Sequence, residues 1–283
     1  MKGLCLAGGG IKAAAHIGAL KAFEEKNIKF DCVSGASSGS IIATMYALGY
    51  NSDEMWDMFQ VYCKKIKYAD WRNVFKMIFG LIFQRRIIID GLNSGKVVEK
   101  IMRDICKEKG INRIDEIEMP LAISMVDLQN GTVYIASSKE QRSSLLDDTV
   151  FITDIPIETA IRASCSFPVV FSPCEYMGLQ LIDGGTRENL PWKPLKQIGA
   201  DEVYGISFET VYKSQECCNN LIDVAARAME LQGRELYVYE KAGIDKEIKI
   251  HLEKVSLLDS SKIYELYQIG YEQARKQIKM IKH

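Results

Sequence analysis

The sequence has few of the residues that build metal and redox sites. It contains only three histidines among 283 residues, and its eight cysteines include no Cys-x-x-Cys pair. Zinc sites need clustered cysteine and histidine ligands at short spacings, so no zinc site is predicted. The cysteines are scattered, several of them in apolar stretches typical of strands, which favours buried, reduced thiols over disulfides. We expect neither a metal ion nor another cofactor.

The sequence also lacks an excess of either charge and any long hydrophobic run. Its 36 Lys and Arg residues balance 37 Asp and Glu residues. Proteins that bind nucleic acid usually carry a basic face, so no nucleic-acid partner is predicted. No apolar run reaches the length of a membrane-spanning helix. The run Gly8-Gly9-Gly10, followed by Lys12 and His16, interrupts the apolar N-terminus too early for a signal peptide. We therefore expect a cytoplasmic protein, and the sequence does not indicate its oligomeric state.

Length and composition fit one large domain. The chain is 47% hydrophobic and 26% charged, which suffices for a full core. It contains no internal repeat, no low-complexity tract and no linker long enough to separate two domains. We predict a single domain over residues 1–283, with residues 52–90 as a cap.

A strand–turn–helix pattern surrounds Ser37. A short apolar run ends at Ser34, the turn Gly35-Ala-Ser37-Ser-Gly39 follows, and an apolar helical pattern runs to Leu48. This order is typical of a nucleophile elbow, in which a strained turn exposes the serine hydroxyl. Glycines at the two flanking positions let the strand and the helix pass close to each other. A Gly/Ser-rich loop that binds phosphate at a helix N-terminus gives the same pattern, so both interpretations stay open.

A similar unit opens the chain. The apolar run 2–7 is followed by Gly8-Gly9-Gly10 and by a helical pattern over 11–26. Two successive units of this kind predict a parallel sheet with both turns at the carboxyl ends of adjacent strands. The exposed amides of the three glycines would form an oxyanion hole beside an activated serine, with Lys12 adding positive potential or anchoring the loop. A dinucleotide-binding turn is the alternative, although Ala13 stands where GxGxxG requires a glycine.

Asp183 is the candidate base. Alternating apolar residues over 176–183 predict a strand that ends in Asp183, and Gly184-Gly185 follows at once. A carboxylate at a strand end, beside glycines that let another loop approach, favours a placed functional group. An aspartate that serves only the turn is the alternative, because Asp is common before Gly.

The three histidines compete with Asp183 as the base that a serine nucleophile needs. His283 is the last residue, and His16 lies in the first predicted helix, where we expect it to face away from the site. His251 would complete the order Ser–Asp–His of a hydrolase triad, but strand alternation over 247–252 places it outward. We therefore predict that Asp183 accepts the proton directly, with its pKa raised from the ordinary value of about 3.9 by burial.

The stretch 52–90 combines aromatic and large apolar residues with lysine and arginine. It contains Met55-Trp56, Trp71-Arg72, Phe75-Lys76 and Arg85-Arg86. This pattern is typical of a segment that dips into a lipid headgroup layer. It equally fits a helical cap that packs its apolar side on the sheet and leaves its basic residues in water.

The rest of the chain predicts further strands and helices. The predicted helices cover 93–109, 158–164, 221–241 and 260–281, and the predicted strands cover 119–128, 131–136, 201–207 and 246–252. The turn at 129–131 predicts that the strands 119–128 and 131–136 form a hairpin.

Three motifs together resemble the patatin-like phospholipase family. They are Gly8-Gly9-Gly10-Ile-Lys12, Gly35-Ala-Ser37-Ser-Gly39 and Asp183-Gly184-Gly185, and they occur in the family's order. The stretches 163–168, 171–173, 189–191 and 256–271 also resemble the family, so the resemblance covers nearly the whole chain. Ala13 departs from the pattern, because the family often has glycine there.

The resemblance implies an α/β fold, a three-layer α/β/α sandwich with a mostly parallel central sheet. It implies a catalytic dyad of Ser37 and Asp183, an oxyanion hole in the backbone of Gly8 to Gly10, and no metal at the dyad. The implied reaction is hydrolysis of acyl esters of phospholipids or other lipids through an acyl-serine intermediate. Together with the pattern of the stretch 52–90, this favours an enzyme that acts at a membrane surface. An esterase of small soluble esters and a non-hydrolytic nucleotide- or phosphate-binding protein are the alternatives.

Overall fold

Strands and helices alternate along most of the chain. The computed structural model describes residues 1–67, 69–84, 89–141, 149–211, 218 and 220–281. Within these ranges the strands are β1 (Lys2–Leu6), β2 (Cys32–Gly35), β3 (Leu121–Asp127), β4 (Val133–Ser137), β5 (Thr149–Ile152), β6 (Cys174–Tyr176), β7 (Leu179–Asp183), β8 (Glu202–Val211) and β9 (Lys246–Glu253). The α-helices are α1 (Ala13–Glu24), α2 (Ser38–Ala47), α3 (Ser52–Tyr62), α4 (Trp71–Phe79), α5 (Lys96–Glu108), α6 (Ile157–Ser164), α7 (Trp192–Ile198), α8 (Leu221–Glu240) and α9 (Ile263–Ile278).

The strands form one mostly parallel sheet. Its order among the described residues is β5-β4-β3-β2-β1-β8-β9, with β7 joined to β3 and β6 joined to β7. The pairs β1–β2, β1–β8, β2–β3, β4–β5 and β8–β9 are parallel. Antiparallel pairing occurs where β4 and β7 join β3 and where β6 joins β7. Helices flank this sheet, which confirms the predicted α/β fold class.

Each face of the sheet buries an apolar layer, because successive side chains of a strand point to opposite faces. Leu4 and Leu6 of β1 belong to one buried layer, and Cys5 of β1 and Ala7, the residue after the strand, belong to the other. The larger layer includes side chains from α1, α2, α5, α6 and α9. The smaller layer includes side chains from α7. The sheet is thus the middle of three layers.

One edge of β3 brings two other strands head to head. Strand β2 runs parallel to the first part of β3, and its last residue, Gly35, lies opposite Ile123. Strand β7 runs antiparallel to the last part of β3, and its last residue, Asp183, lies opposite Met125. The carboxyl ends of β2 and β7 therefore lie two residues apart along β3, about 7 Å at the usual rise per residue. Since Ser37 lies only two residues after the end of β2, this topology brings Ser37 and Asp183 into the same region.

The described residues of segment 52–90 include two α-helices of opposite character, α3 and α4. Helix α3 begins with a capping box at Asn51, and it buries Met55 completely. Trp56 packs against Tyr267 of α9, with ring centroids 4.5 Å apart. Helix α3 thus packs on other helices, and the role of residues 52–90 as a cap stays a prediction. Helix α4 instead leaves large apolar side chains exposed.

Several predictions concern the chain as a whole. No helix in the described ranges is both long and apolar enough to cross a membrane. The seven described cysteines are free thiols; five of them are buried, and Cys174 and Cys218 are half-buried. The single domain over 1–283 stays a prediction. Arg85, Arg86 and His283 lie outside the described residues.

Candidate active site

Ser37 lies at the apex of the turn between β2 and α2 in a conformation that side chains rarely adopt. Its φ is 51° and its ψ is −130°. Positive φ at a non-glycine residue is strained, and such strain persists only where the surroundings fix it. Here the Ser37 N–H donates to Ser164 Oγ at 2.9 Å, and Ser40 Oγ donates to the Ser37 carbonyl oxygen at 2.6 Å. The turn has the geometry of a nucleophile elbow.

The glycines that flank Ser37 have no room for a side chain. A Cβ on Gly39 would lie 2.4 Å from the Leu6 carbonyl oxygen. A Cβ on Gly35 would lie 2.5 Å from the backbone of Gly39. These close approaches let α2 start directly against the end of β1, and they place the serine turn beside the glycine turn that follows β1.

Asp183 is held rigidly at the end of β7. Its Oδ1 accepts the Gly185 N–H at 2.8 Å, and its own N–H donates to the Ser166 carbonyl oxygen at 3.1 Å. Gly184 passes so close to β3 that a Cβ on it would lie 2.2 Å from Ser124 Oγ. The carboxyl group is buried, because Asp183 is only 2% exposed.

The surroundings of Asp183 adjust its pKa towards neutrality. Burial raises the pKa of the Asp183 carboxyl to about 6, while the Ser37 side chain and the Gly185 N–H act to lower it. Asp183 Oδ2 is buried and makes no hydrogen bond of normal geometry to any described residue. The Ser37 side chain thus lies close enough to Asp183 to affect its pKa. The Asp183 carboxyl group still has one oxygen that can accept a hydrogen bond. Catalytic hydrogen bonds are often poorly aligned until the substrate binds.

The glycine turn after β1 contacts the serine directly. A Cβ on Gly8 would lie 2.8 Å from Ser37 Cβ. The Gly8 N–H already donates to Asn189 Oδ1 at 3.0 Å. By contrast, the N–H groups of Gly9 and Gly10 have no acceptor among the described residues. Two of the three amides predicted for the oxyanion hole are therefore free to bind an anion.

The sequence analysis assigned no role to Asn189 and Ser164, although both support the site. Asn189 Oδ1 accepts the Gly8 N–H across 181 residues of chain, and Ser164 Oγ accepts the Ser37 N–H across 127 residues. The Asn189 N–H donates in turn to Glu240 Oε1 at the end of α8, at 2.6 Å. Contacts between such distant residues leave no local pattern. The only available signal was the resemblance of the stretches 163–168 and 189–191 to the family.

The Lys12 side chain makes its hydrogen bond to β8 and not to the glycine turn. Its Nζ donates to Thr210 Oγ1 at 2.8 Å. Burial lowers the pKa of the Lys12 ammonium, while Glu230 acts to raise it and Arg234 to lower it. Lys12 also lines a cavity that includes Ser37, and its predicted contribution of positive potential stays a prediction.

His251 and His16 lie in different environments. His251 is exposed on β9, with Nδ1 3.3 Å from Glu209 Oε2, in the outward position predicted for it. His16 is fully buried, and its Nε2 lies 2.8 Å from the Ala7 carbonyl oxygen, so the prediction that it faces away from the site is wrong. Burial lowers the pKa of His16 to about 4. A neutral imidazole with Nε2 protonated donates to this carbonyl and so supports the residue before Gly8.

Two cavities meet at Ser37. The larger, of about 650 Å³, is lined by polar and apolar groups from the glycine turn, Asp183, β8 and α8. The smaller, of about 100 Å³, is lined almost entirely by apolar side chains, mainly from α2, α3 and α5. Ser37 and Phe167 line both cavities. Ser37 therefore lies between the smaller cavity, which we call the apolar cavity, and the larger one, which also offers polar groups and which we call the polar cavity.

Comparison with protein families decides the affiliation of the chain. The profile of the patatin-like phospholipase family matches residues 4–196. The chain belongs to the patatin-like phospholipase family. The matched region contains all three motifs, and membership identifies a lipid ester hydrolase in general terms. Among the described residues, no group of three or more His, Cys, Asp or Glu side chains could hold a metal ion.

Individual relatives differ widely in length. An uncharacterized Bacillus subtilis protein, YqhO, is 31% identical over 235 residues, which cover 72% of this chain and 78% of that protein. Lysophospholipase NTE1 of Lodderomyces elongisporus is 25% identical over 209 residues, which cover 74% of this chain and 12% of that protein. Lysophospholipase NTE1 of Meyerozyma guilliermondii is 23% identical over 294 residues, which cover 95% of this chain and 18% of that protein. The chain therefore spans less than a fifth of the length of these two lysophospholipases.

Solved structures show the same fold. VipD from Legionella pneumophila matches with a TM-score of 0.54 and 16% identity, over 99% of this chain and 67% of that one. Full-length ExoU from the type III secretion system of Pseudomonas aeruginosa, in complex with SpcU, matches with a TM-score of 0.50 and 14% identity, over 99% of this chain and 52% of that one. At these identities the likeness concerns the fold alone.

Proposed function

We propose that the chain hydrolyses fatty acyl esters of phospholipids or lysophospholipids, with Ser37 as nucleophile and Asp183 as base. The observation that carries this proposal is the position of Ser37, on a strained turn between an apolar and a polar cavity and beside a buried carboxyl group. The names of the fungal relatives, which are lysophospholipases, support the same substrate class.

In the proposed reaction, Ser37 Oγ attacks the ester carbonyl carbon while Asp183 takes the hydroxyl proton. The N–H groups of Gly9 and Gly10 donate to the oxyanion of the tetrahedral intermediate. The carbon–oxygen bond to the alcohol then breaks, and the proton passes from Asp183 to the leaving oxygen. Water attacks the acyl-serine with Asp183 again as base, which releases the fatty acid and restores Ser37.

In this proposal each cavity binds a different part of the substrate. The acyl chain occupies the apolar cavity, and the glycerol backbone with its headgroup occupies the polar cavity. Positive potential from Lys12 favours an anionic headgroup there. An apolar compartment beside the nucleophile is of little use to an esterase of small soluble esters, and a nucleotide-binding turn needs no strained serine.

The apolar cavity gives a prediction about chain length. Ser37, just before α2, and Ile41 and Met45 in α2 line it at intervals of four residues, so it extends about 12 Å from the nucleophile. Met45→Trp fills the far end. We expect kcat/KM for a long-chain ester to fall at least about 10-fold relative to a short-chain ester. The volume-conserving Met45→Leu should leave this ratio unchanged. An unchanged ratio in Met45→Trp would place the acyl chain elsewhere.

Incubation with defined phospholipid and lysophospholipid vesicles, followed by mass analysis of the products, tests the proposed function. We expect free fatty acid together with the deacylated lipid. Hydrolysis of short soluble esters alone, with vesicles untouched, would instead favour the small-ester esterase. Binding of labelled nucleotide without any ester cleavage would favour the phosphate-binding alternative.

A further inference from the structure

Helix α4 exposes large apolar side chains to solvent and buries a polar one. Trp71 is 88% exposed, Phe75 is 71% exposed and Phe83, just beyond the helix, is 70% exposed. Asn73, in contrast, is buried, and its Nδ2 donates to the Gly91 carbonyl oxygen at 2.9 Å. A surface helix of a water-soluble protein normally has the opposite orientation.

The exposed side chains form one continuous surface. Starting from Trp71, they recur every three or four residues through α4 and the turn after it, and the rings of Phe79 and Phe83 lie 4.7 Å apart. We define the α4 face as the exposed residues Trp71, Phe75, Ile78, Phe79, Ile82 and Phe83. A contiguous apolar surface of this kind marks a protein or membrane contact.

The charges around the α4 face identify the partner. Arg72 and Lys76 follow Trp71 and Phe75 directly in the chain and are exposed, as are the lysines at 64, 65 and 67. Asp70 is the single acidic residue of the sequence between 63 and 84. Its carboxylate is already used, because it accepts N–H groups at Asn73 and Ser94. An apolar face with a basic surround complements an anionic lipid surface.

Hydrogen bonds connect the start of α4 to the wall of the apolar cavity. The Asp70 N–H donates to the Leu92 carbonyl oxygen at 3.0 Å, and the Leu92 N–H donates to the Val169 carbonyl oxygen at 3.1 Å. Val170 and Phe171, the next residues, line the cavity beside Ser37. A bilayer that contacts the α4 face would therefore lie close to the compartment assigned to the acyl chain.

We propose that the α4 face inserts into the headgroup region of an anionic phospholipid bilayer, with Arg72 and Lys76 binding lipid phosphates. The bilayer bound in this way would be the source of the lipid substrate, and that role rests on the proposed function. The binding itself needs no catalysis and is testable without it.

Vesicle binding by the Ser37→Ala protein tests this proposal, since that background leaves the lipids intact. On vesicles of phosphatidylcholine with phosphatidylserine, the added changes Trp71→Ser, Phe75→Ser and Phe83→Ser should weaken binding at least about 100-fold in co-sedimentation. A matched triple change at exposed residues elsewhere, Met177→Ser, Tyr239→Ser and Met280→Ser, should leave binding unchanged. Equal binding by both triple variants would overturn the proposal.

Two further readouts separate insertion from surface adhesion. Arg72→Glu with Lys76→Glu should weaken binding to these vesicles roughly 30-fold and have little effect on phosphatidylcholine alone. Vesicles should also shift the tryptophan emission to the blue in the Ser37→Ala protein and much less after Trp71→Phe. An unchanged shift after Trp71→Phe would mean that the α4 face does not enter the bilayer.

A second copy of the chain is the competing occupant of the α4 face. Sedimentation of a dimer that the Trp71, Phe75 and Phe83 changes convert to a monomer, with no vesicle binding, would overturn the membrane assignment. In the active protein, the same triple variant should still hydrolyse a short-chain soluble ester at the wild-type rate. If the proposed chemistry is wrong, the wild-type protein will not hydrolyse the short-chain ester, whatever the result of the vesicle experiment.

Discussion

Ser37→Ala is expected to lower the rate of lipid ester hydrolysis by about 10⁴-fold or more, since no other group in the site replaces the attacking oxygen. The alanine keeps the positive φ of the turn, so its backbone contacts with Ser164 and Ser40 are retained. Steady-state release of fatty acid from lysophospholipid measures the effect.

Ser38→Ala is the matched control for Ser37→Ala, because it removes the adjacent hydroxyl of the same turn. Ser38 Oγ is buried and has no hydrogen-bond partner among the described residues. The Ser38→Ala protein should still react covalently at Ser37. Full hydrolysis by Ser37→Ala would show that another residue is the nucleophile.

Asp183→Asn is expected to lower kcat/KM by about 10²–10⁴-fold, because asparagine can accept the Gly185 N–H but cannot accept the serine proton. His251→Ala should change the rate less than about twofold, since that exposed imidazole pairs with Glu209. An equal loss in both variants would favour a triad that includes His251 over the dyad.

The pH dependence of the wild type follows from the same carboxyl group. Asp183 acts as a base only when ionised, and its pKa is raised to about 6 by burial. Activity should therefore be low at pH 5, rise through about pH 6 and level off above pH 7. The Asp183→Asn protein should lack this rise. A wild-type profile with no inflection between pH 5 and 7 would contradict Asp183 as the base.

Stability gives an independent check on Asp183. Its pKa in the folded protein lies above the ordinary value of about 3.9 in the unfolded chain, so the folded state holds the proton more tightly. The resulting stabilisation is fully present below pH 4 and is lost as the pH rises through about 6. Asp183→Asn should therefore raise Tm relative to the wild type more at pH 8 than at pH 4, which separates loss of activity from unfolding.

The sequence was informative where local patterns determine structure. Short apolar runs followed by Gly8-Gly9-Gly10 and by Gly35-Ala-Ser37-Ser-Gly39 predict two strand–turn–helix units, and the units occur in the structure with their turns side by side. Backbone atoms pack so closely at Gly35 and Gly39 that only glycine fits there. For this reason the turn leaves a recognisable glycine pattern in the sequence.

Element boundaries were less predictable. The first helix begins at Ala13 instead of Ile11, because residues 10–12 form a tighter 3₁₀ turn. Helix α5 begins at Lys96, after Gly95 with φ of 70°, instead of at residue 93. The predicted strand 176–183 is a hairpin of β6 and β7, since Met177 and Gly178 both have positive φ. The sequence analysis missed β5 and α7.

The spatial meeting of Ser37 and Asp183 depends on pairing that no local pattern contains. Strands β2 and β7 share one edge of β3, although 143 residues lie between them along the chain. The sequence also left the exposure of α4 undecided, because the spacing of its apolar residues fits burial in the protein and contact with lipid equally well. The structure shows that Trp71 and Phe75 are exposed and that Asn73 is buried.

Mass mapping of the adduct formed with a long-chain alkyl fluorophosphonate tests the dyad most directly, because this reagent reacts with an activated serine hydroxyl. We predict a single adduct on Ser37 in the wild type, formed much more slowly in the Asp183→Asn protein. A wild-type adduct on another residue, or labelling of Ser37 at the same rate without Asp183, would contradict the account.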